Sequence, residues 1–254
     1  MKRATILLAF SFVTQLGISQ NQNSIGMEIG PSSIIGDIES TSLQSFSLEF
    51  YYKKNLFQFL NYEPSVHLSR NFGLSENLFL ADQTSPTNWF PAYKNTNLIL
   101  FQNLSSSFRL ITDRISVEPK IGIGLGVSST RLNVLDENNR PYQNIEVVSG
   151  YSSGDPDYLS NILEIHDETY ETETFQPSGL FSIGDNRASL YYNASVRLKY
   201  DITHSISIGL SHSIIVSDTD YLDGVKFRNE NLQSNRTDFI QTSRISFEYR
   251  LSSE

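Results

Sequence analysis

The sequence predicts an all-β protein, an eight-stranded antiparallel up-and-down transmembrane β-barrel. Three observations predict it. Apolar and polar residues alternate with period two in eight segments, and short and long connections alternate along the chain. The polar faces are also rich in glycine and serine. Period-two alternation puts successive side chains on opposite faces of a strand. Averaged hydropathy misses such a barrel, because each strand is apolar on one face only.

The eight alternating segments differ in clarity. The pattern is clearest over residues 115–128, 188–202 and 239–251, and weaker copies cover residues 25–31, 45–53, 59–72, 98–111 and 206–216. Several are longer than the roughly 9–11 residues that a tilted strand needs to cross a bilayer. We therefore predict eight membrane-spanning strands.

The connections between these segments separate into two classes. Short turns lie near residues 54–55, 112–114 and 203–205, whereas long loops cover about residues 73–97, 132–185 and 217–237, with a modest one near 34–41. In an up-and-down barrel this order puts the tight turns at one rim and the long loops at the other. Barrels of the bacterial outer membrane show that asymmetry, with short periplasmic turns and longer extracellular loops.

The first residues have the anatomy of a secretory signal. A basic start, Met1-Lys2-Arg3, precedes an apolar run that ends at Val13, and small residues precede Gln20. The run is shorter than the roughly 20 residues of a spanning helix. We expect a signal peptide over residues 1–19 and a barrel domain over 20–254, with an N-terminal membrane anchor or a buried helix as the alternative. The chain has no cysteine, which excludes disulfides and thiolate metal sites.

The polar faces carry acids and bases in near balance. An eight-stranded barrel has an interior just wide enough for side chains to fill, and buried charges need partners. We therefore predict an ion-paired, filled lumen; a conducting pore with selectivity charges is the alternative. The predicted lumen network consists of Glu28, Glu49, Lys53, Glu63, His67, Arg109, Glu118, Lys120, Arg197, Lys199, Asp201, Arg244, Glu248 and Arg250.

The longest predicted loop is strongly acidic. Residues 136–173 contain ten acids and one base, Arg140. One interpretation is a solvated surface loop, and the other is a divalent-cation site with carboxylate ligands. The ligands proposed for such a site are Asp155, Asp157, Asp167 and Glu168. We expect no other metal and no cofactor.

Neither nucleic-acid binding nor catalysis is expected. The formal net charge is −9, and the chain lacks the basic clusters of nucleic-acid-binding proteins. His212 falls on an apolar face between Leu210 and Ile214, and a lipid-facing histidine is costly without a partner. Lipid A deacylase barrels carry an exterior histidine with a serine two residues later, a position that Ile214 occupies here. We predict that the protein is not an enzyme, with a lipid A-modifying enzyme as an alternative.

The chain resembles the small outer-membrane β-barrel family that includes the OmpA-type transmembrane barrel and its OmpX-like relatives. The resemblance rests on the 1–19 segment, the eight strands and the ending Arg244-Ile245-Ser246-Phe247-Glu248-Tyr249-Arg250-Leu251. It implies an outer-membrane location, contact with membrane lipid and lipopolysaccharide, and insertion by the barrel assembly machinery. We expect a monomer with a structural or adhesive role through its extracellular loops, where Trp89, Phe90 and Tyr93 are candidate contact residues.

Two further alternatives stay open. The segments Tyr62-Glu63-Pro64 and 219–225 are similar to PorT-like barrels, which suggests an accessory subunit of an envelope or secretion machine. A soluble β-sandwich or lipocalin-like binder would instead turn the polar strand faces outward.

Overall fold

The computed structural model describes residues 23–36, 40–57, 59–75, 79–80, 88–89, 92–110, 113–133, 181–183, 186–218, 222 and 238–251. The predicted signal peptide and the four proposed metal ligands lie outside these residues. The strands, in chain order, are β1 (Ser24–Ile35), β2 (Ser40–Phe57), β3 (Leu60–Ser75), β4 (Phe79–Leu80), β5 (Asn88–Trp89), β6 (Ala92–Ser106), β7 (Phe108–Arg109), β8 (Ile115–Asn133), β9 (Phe181–Ile183), β10 (Asn186–Asp201), β11 (Ile206–Ser217) and β12 (Phe239–Arg250). Within this part of the chain, no helix is long and apolar enough to cross a membrane.

Eight long strands close into a barrel. In the order β1, β2, β3, β6, β8, β10, β11, β12, each pairs antiparallel with the next, and β12 pairs back to β1. The short strands β7 and β9 extend the pairing of β8 and β10, and β4 pairs with β5. The predicted eight-stranded up-and-down barrel is confirmed.

The register gives the tilt of the strands. A path that starts at Ser24 and steps from each residue to the one paired with it on the next strand returns to β1 at Ile34. This end point lies ten residues further along the strand than Ser24. The path runs through Ser24, Lys53, Glu63, Asn103, Gly122, Asn193, Ile215, Ile240 and Ile34. With strands about 4.8 Å apart and a rise of about 3.3 Å per residue, this stagger corresponds to a tilt of about 40°, as is usual in closed barrels.

The outer surface is apolar and the inner surface is polar. On β12, Ile245, Phe247 and Tyr249 are about half exposed, whereas the alternating Arg244 and Glu248 are buried. The same inversion recurs on the other long strands. An apolar belt around a closed barrel is stable where the surrounding solvent is hydrocarbon, because every backbone group is paired within the barrel. The soluble alternative, with its polar faces outward, is therefore wrong.

Several strands are longer than the alternation predicts. β6 begins at Ala92 and β8 ends at Asn133, so the loop predicted over residues 73–97 begins inside β3 and ends inside β6. These extensions carry polar residues such as Thr96 and Arg131 on the outward face. At this end of the strands, beyond the apolar belt and next to the long loops, both faces of a strand meet polar surroundings. The period-two pattern is therefore weaker there. Tyr93, expected as a loop contact residue, is instead 1% exposed inside this part of β6.

Candidate functional site

The lower half of the lumen, near the short turns, the start of β1 and the end of β12, is filled by paired charges. Inward residues of β1, β2, β3, β8, β10 and β12 meet there because period-two alternation turns every second side chain inward. We call this group the charge cluster; among the described residues it comprises five acids and five bases. The members are Glu28, Glu49, Glu63, Glu118 and Glu248, with Lys53, Lys120, Arg197, Lys199 and Arg244.

Arg197 connects three of the acids. Its guanidinium lies 2.6 Å from Glu28, 2.9 Å from Glu63 and 3.0 Å from Glu118. The ring of Tyr51 lies 4.3 Å below the guanidinium carbon, and the Tyr51 hydroxyl donates to Glu248 across 3.2 Å. A planar donor fork with a ring on its face is an arrangement that arginine makes and lysine cannot.

The other cations each bridge two acids. Lys53 lies 2.8 Å from Glu118 and 2.7 Å from Glu248, and Lys199 lies 2.7 and 3.0 Å from the same two carboxylates. Lys120 bridges Glu49 and Glu63 at 2.8 and 3.1 Å.

Arg244 completes the set. It bridges Glu49 and Glu28 at 2.6 and 3.1 Å. Each of the five carboxylates therefore has at least two cationic neighbours within 3.1 Å. A buried ion network offsets its desolvation cost only when it is satisfied to this degree.

His67 lies at the upper edge of the charge cluster. The side chain is fully buried, with Nδ1 3.1 Å from Nη1 of Arg244 and 3.7 Å from Glu49. Its ring meets Phe101 edge to face, with ring centroids 6.3 Å apart. The histidine thus joins the charge cluster to the aromatic residues above it.

Three residues of the predicted network lie elsewhere. Arg109 on β7 is exposed, so its assignment to the lumen is wrong; it lies at the lower rim, where the inward face of the barrel opens to water. Asp201 and Arg250 form a separate pair at the same rim, 2.5 Å apart, with side chains 18% and 20% exposed. Tyr51 belongs with the charge cluster but was not predicted, because an aromatic side chain on a polar face carries no charge signal.

The upper half of the lumen is filled differently. Eight buried apolar or aromatic residues from β1, β6, β10, β11, β12 and one loop pack together there, and we call them the apolar plug. They are Ile34, Tyr93, Ile99, Phe101, Tyr191, Ile215, Leu222 and Ile240. Amide side chains surround them: Asn71 donates to Asn95 across 3.3 Å, and Asn95 donates to Thr130 across 2.8 Å.

Leu222 enters the apolar plug from the connection between β11 and β12. Its N–H donates to Asp238 across 2.7 Å, and its carbonyl accepts from the Thr130 hydroxyl across 3.2 Å. With 0% exposure, this residue places part of the last long connection inside the barrel mouth.

Within the described part of the chain, no three His, Asp or Glu side chains are arranged to hold a metal ion.

On the outer surface, His212 has partners that lie far away in the sequence. Its Nδ1 is 2.9 Å from Oγ of Ser243, directly opposite on β12, and its Nε2 is 3.4 Å from the Gln241 amide. Ile214 stands two residues after the histidine, and the serine that contacts the ring lies on the neighbouring strand.

Solved outer-membrane barrels match this chain over most of its length at low identity. The attachment invasion locus protein Ail of Yersinia pestis is 11% identical with a TM-score of 0.44, and the match covers 92% of this chain and 100% of that one. OprG of Pseudomonas aeruginosa is 11% identical (TM-score 0.39; 94% and 99% covered), and the outer-membrane protease OmpT of Escherichia coli is 9% identical (TM-score 0.38; 93% and 100%). No family model and no curated protein matches the chain.

These TM-scores are below 0.5, so the fold assignment rests on the strand pairing and the two faces of the barrel itself. The strands close without an edge, the belt is apolar and the lumen is polar and filled. The chain folds as a closed eight-stranded β-barrel with the apolar belt and filled polar lumen of a membrane-spanning barrel.

Proposed function

We propose that the protein has a structural or adhesive role at the cell surface, acting through the loops of its outer rim, and that its lumen transports nothing. The observation that supports this is the satisfaction of the charge cluster, in which every carboxylate contacts at least two cations. An aqueous path through the lower lumen would separate several buried ion pairs at once, and each broken pair is costly.

The outer rim offers the larger surface for a partner. The connections between β3 and β6, β8 and β10, and β11 and β12 leave this rim, whereas β2–β3, β7–β8 and β10–β11 are joined by short turns at the other. Residues 136–173 bring ten acids and one base to the outer connections. Such a segment favours basic partners, or divalent cations that bridge to the phosphates of lipopolysaccharide.

The remaining partners follow from the barrel. We propose that it is inserted by the barrel assembly machinery and works as a monomer surrounded by outer-membrane lipid and lipopolysaccharide. We propose no catalytic role for the lumen, because its ionisable groups are engaged with one another.

A matched pair of loop variants tests this function. In one, a short glycine-serine linker replaces residues 136–173; in the other, the ten acids of that segment are changed to the corresponding amides. Cells that display each protein are measured for attachment to surfaces coated with basic polypeptide or with lipopolysaccharide and calcium. We expect both variants to lose attachment while keeping the heat-dependent gel mobility of a folded barrel.

Two results would contradict the proposal. Attachment that survives both variants would exclude the acidic loop as the contact surface. Stoichiometric co-purification of an envelope protein with wild type and both variants would favour the accessory-subunit alternative.

A further inference from the structure

The apolar belt is interrupted on one side of the barrel. On β8 the outward row runs through Pro119, Ile121, Ile123, Leu125 and Val127. On β12 the outward apolar row is broken above Ile245 by Ser243 and Gln241, and it resumes at Phe239. His212 stands beside them on β11. Polar groups in the belt draw the polar interface of the membrane toward themselves, because exposing them to hydrocarbon is costly.

These three residues form a connected group with a defined order. The Ser243 hydroxyl is 2.9 Å from Nδ1 of His212, and Nε2 of the same ring is 3.4 Å from the amide nitrogen of Gln241. Ser243 is exposed, whereas His212 and Gln241 are half buried. A hydroxyl, an imidazole and a group that orients the imidazole are the parts of a nucleophile activated by a base.

A second polar pair on the outer surface serves as a comparison, because its hydrogen bond has no base beside it. The Tyr62 hydroxyl donates to the Gln102 amide on the outer face of β3 and β6. That pair contains no base beside its hydroxyl, whereas the group on β11 and β12 contains one.

We propose that Ser243 and His212 form an acyl-transfer site on the lipid-facing surface, with Gln241 as the positioning residue and an ester of an outer-leaflet lipid as the substrate. The site faces lipid at the place where the belt is interrupted. Ester groups and water belong to the polar interface, so they reach Ser243 where that interface dips.

The first step transfers the acyl group to the protein. Nδ1 of His212 takes the proton of Ser243 as Oγ attacks the ester carbonyl; the Oγ–carbon bond forms and the bond to the alkoxy oxygen breaks. The leaving oxygen takes the proton from Nδ1. For this role the Gln241 amide, whose nitrogen faces the ring in the structure, turns over about its Cγ–Cδ bond. Its oxygen then accepts a hydrogen bond from Nε2–H of His212, which keeps the lone pair at Nδ1.

The second step restores the enzyme. Water attacks the acyl-serine carbonyl and gives its proton to Nδ1. The bond to Oγ breaks, Oγ regains its proton from His212, and a fatty acid leaves. Water is the only co-reactant.

A covalent probe that reacts with activated serines tests the site, whichever lipid is the substrate. The full protein is inserted into vesicles of phosphatidylethanolamine and lipopolysaccharide and treated with a fluorophosphonate, and the modified residue is located by mass spectrometry. We expect Ser243 to be labelled, Ser243→Ala to remove the label, and His212→Phe to slow labelling about 100-fold or more. Ser33→Ala is the matched control, because Ser33 lies opposite Gln241 on β1 without a base and its loss should change nothing.

Gln241 needs a test of its own. Gln241→Leu should slow labelling, whereas Gln241→Glu should label like wild type, because a carboxylate also accepts a hydrogen bond from Nε2–H. A purely structural role would not distinguish the two variants. Heat-dependent gel mobility confirms that each variant is folded. Absence of labelling at Ser243 in folded wild type, with no fatty acid released from the vesicles, overturns the proposal, as does labelling that His212→Phe leaves unchanged.

Discussion

The two halves of the lumen are filled by opposite chemistries on the same strands. On β10, Tyr191 lies in the apolar plug and Arg197 in the charge cluster; on β12, Ile240 and Arg244 divide in the same way. The lower half depends on directional bonds between full charges. The upper half depends on packing and includes a residue, Leu222, that arrives from a loop.

This difference implies different responses to change. The charge cluster is balanced, so removing one member leaves buried charge without a partner, and the penalty is large. The apolar plug loses only the contacts of the group removed, and its neighbours can relax. We therefore expect the charge cluster to set the stability of the barrel, and the apolar plug to set how firmly the outer loops are held.

The largest effect is expected from Arg197→Met. The change leaves Glu28, Glu63 and Glu118 with one cationic neighbour fewer each, and should lower the free energy of unfolding by about 3–5 kcal/mol. Urea unfolding in lipid vesicles, followed by fluorescence, measures it. Arg109→Met removes an exposed arginine of the same barrel and should stay within about 0.5 kcal/mol of wild type. Equal losses in the two variants would show that the charge cluster contributes no special stability.

Leu222→Ala is the matching change in the apolar plug. We expect a loss of about 2–3 kcal/mol, toward the lower end for a buried leucine, because the neighbouring side chains of the apolar plug can relax into the space. The clearest readout is limited proteolysis, with faster cleavage between β11 and β12. Leu110→Ala, at the opposite rim and 48% exposed in wild type, should leave that cleavage unchanged. An unaltered cleavage rate in Leu222→Ala would mean that Leu222 does not anchor the loop.

Alanine substitutions at two glycines would compare the rigidity of the lower and upper halves of the lumen. A Cβ added at Gly26 would lie 2.2 Å from Cζ of Tyr51, and one at Gly73 would lie 2.3 Å from Cε1 of Tyr93. Tyr51 is held between Glu248 and Arg197, so its ring cannot shift without disturbing the charge cluster. We expect Gly26→Ala to cost about 1–2 kcal/mol and Gly73→Ala less, by the same urea measurement. The reverse order would contradict a rigid lower half.

The smallest effect is expected at the lower rim. Asp201→Asn removes the ion pair with Arg250, which is partly exposed to water. We expect a loss of about 0.5–1 kcal/mol that shrinks as salt is added. A loss as large as that of Arg197→Met would contradict the expectation that this partly exposed ion pair contributes less than a pair of the charge cluster.

Much of this architecture is visible in the sequence, because lipid and lumen impose opposite preferences on alternate residues. The pattern identifies Glu28, Arg197 and Glu248 as inward residues before any coordinates are known. It fails where that contrast ends: at the upper strand extensions, where both faces are polar, and at Arg109, where the inward face meets water.

Contacts between distant residues need the register, which alternation does not supply. His212 and Ser243 are brought together only because β11 and β12 pair at that offset. The insertion of Leu222 is also invisible in the sequence, because a leucine in a connection looks like any other exposed or buried loop residue.

Electrical recording tests the filled lumen most directly. Purified wild type, inserted into planar bilayers in molar potassium chloride, should show no stable conductance steps beyond the bare membrane, because the charge cluster and the apolar plug occupy the lumen in series. A general porin recorded under the same conditions confirms that insertion is detected. Reproducible wild-type steps would contradict the account, since ions cannot pass while these side chains keep the contacts described here.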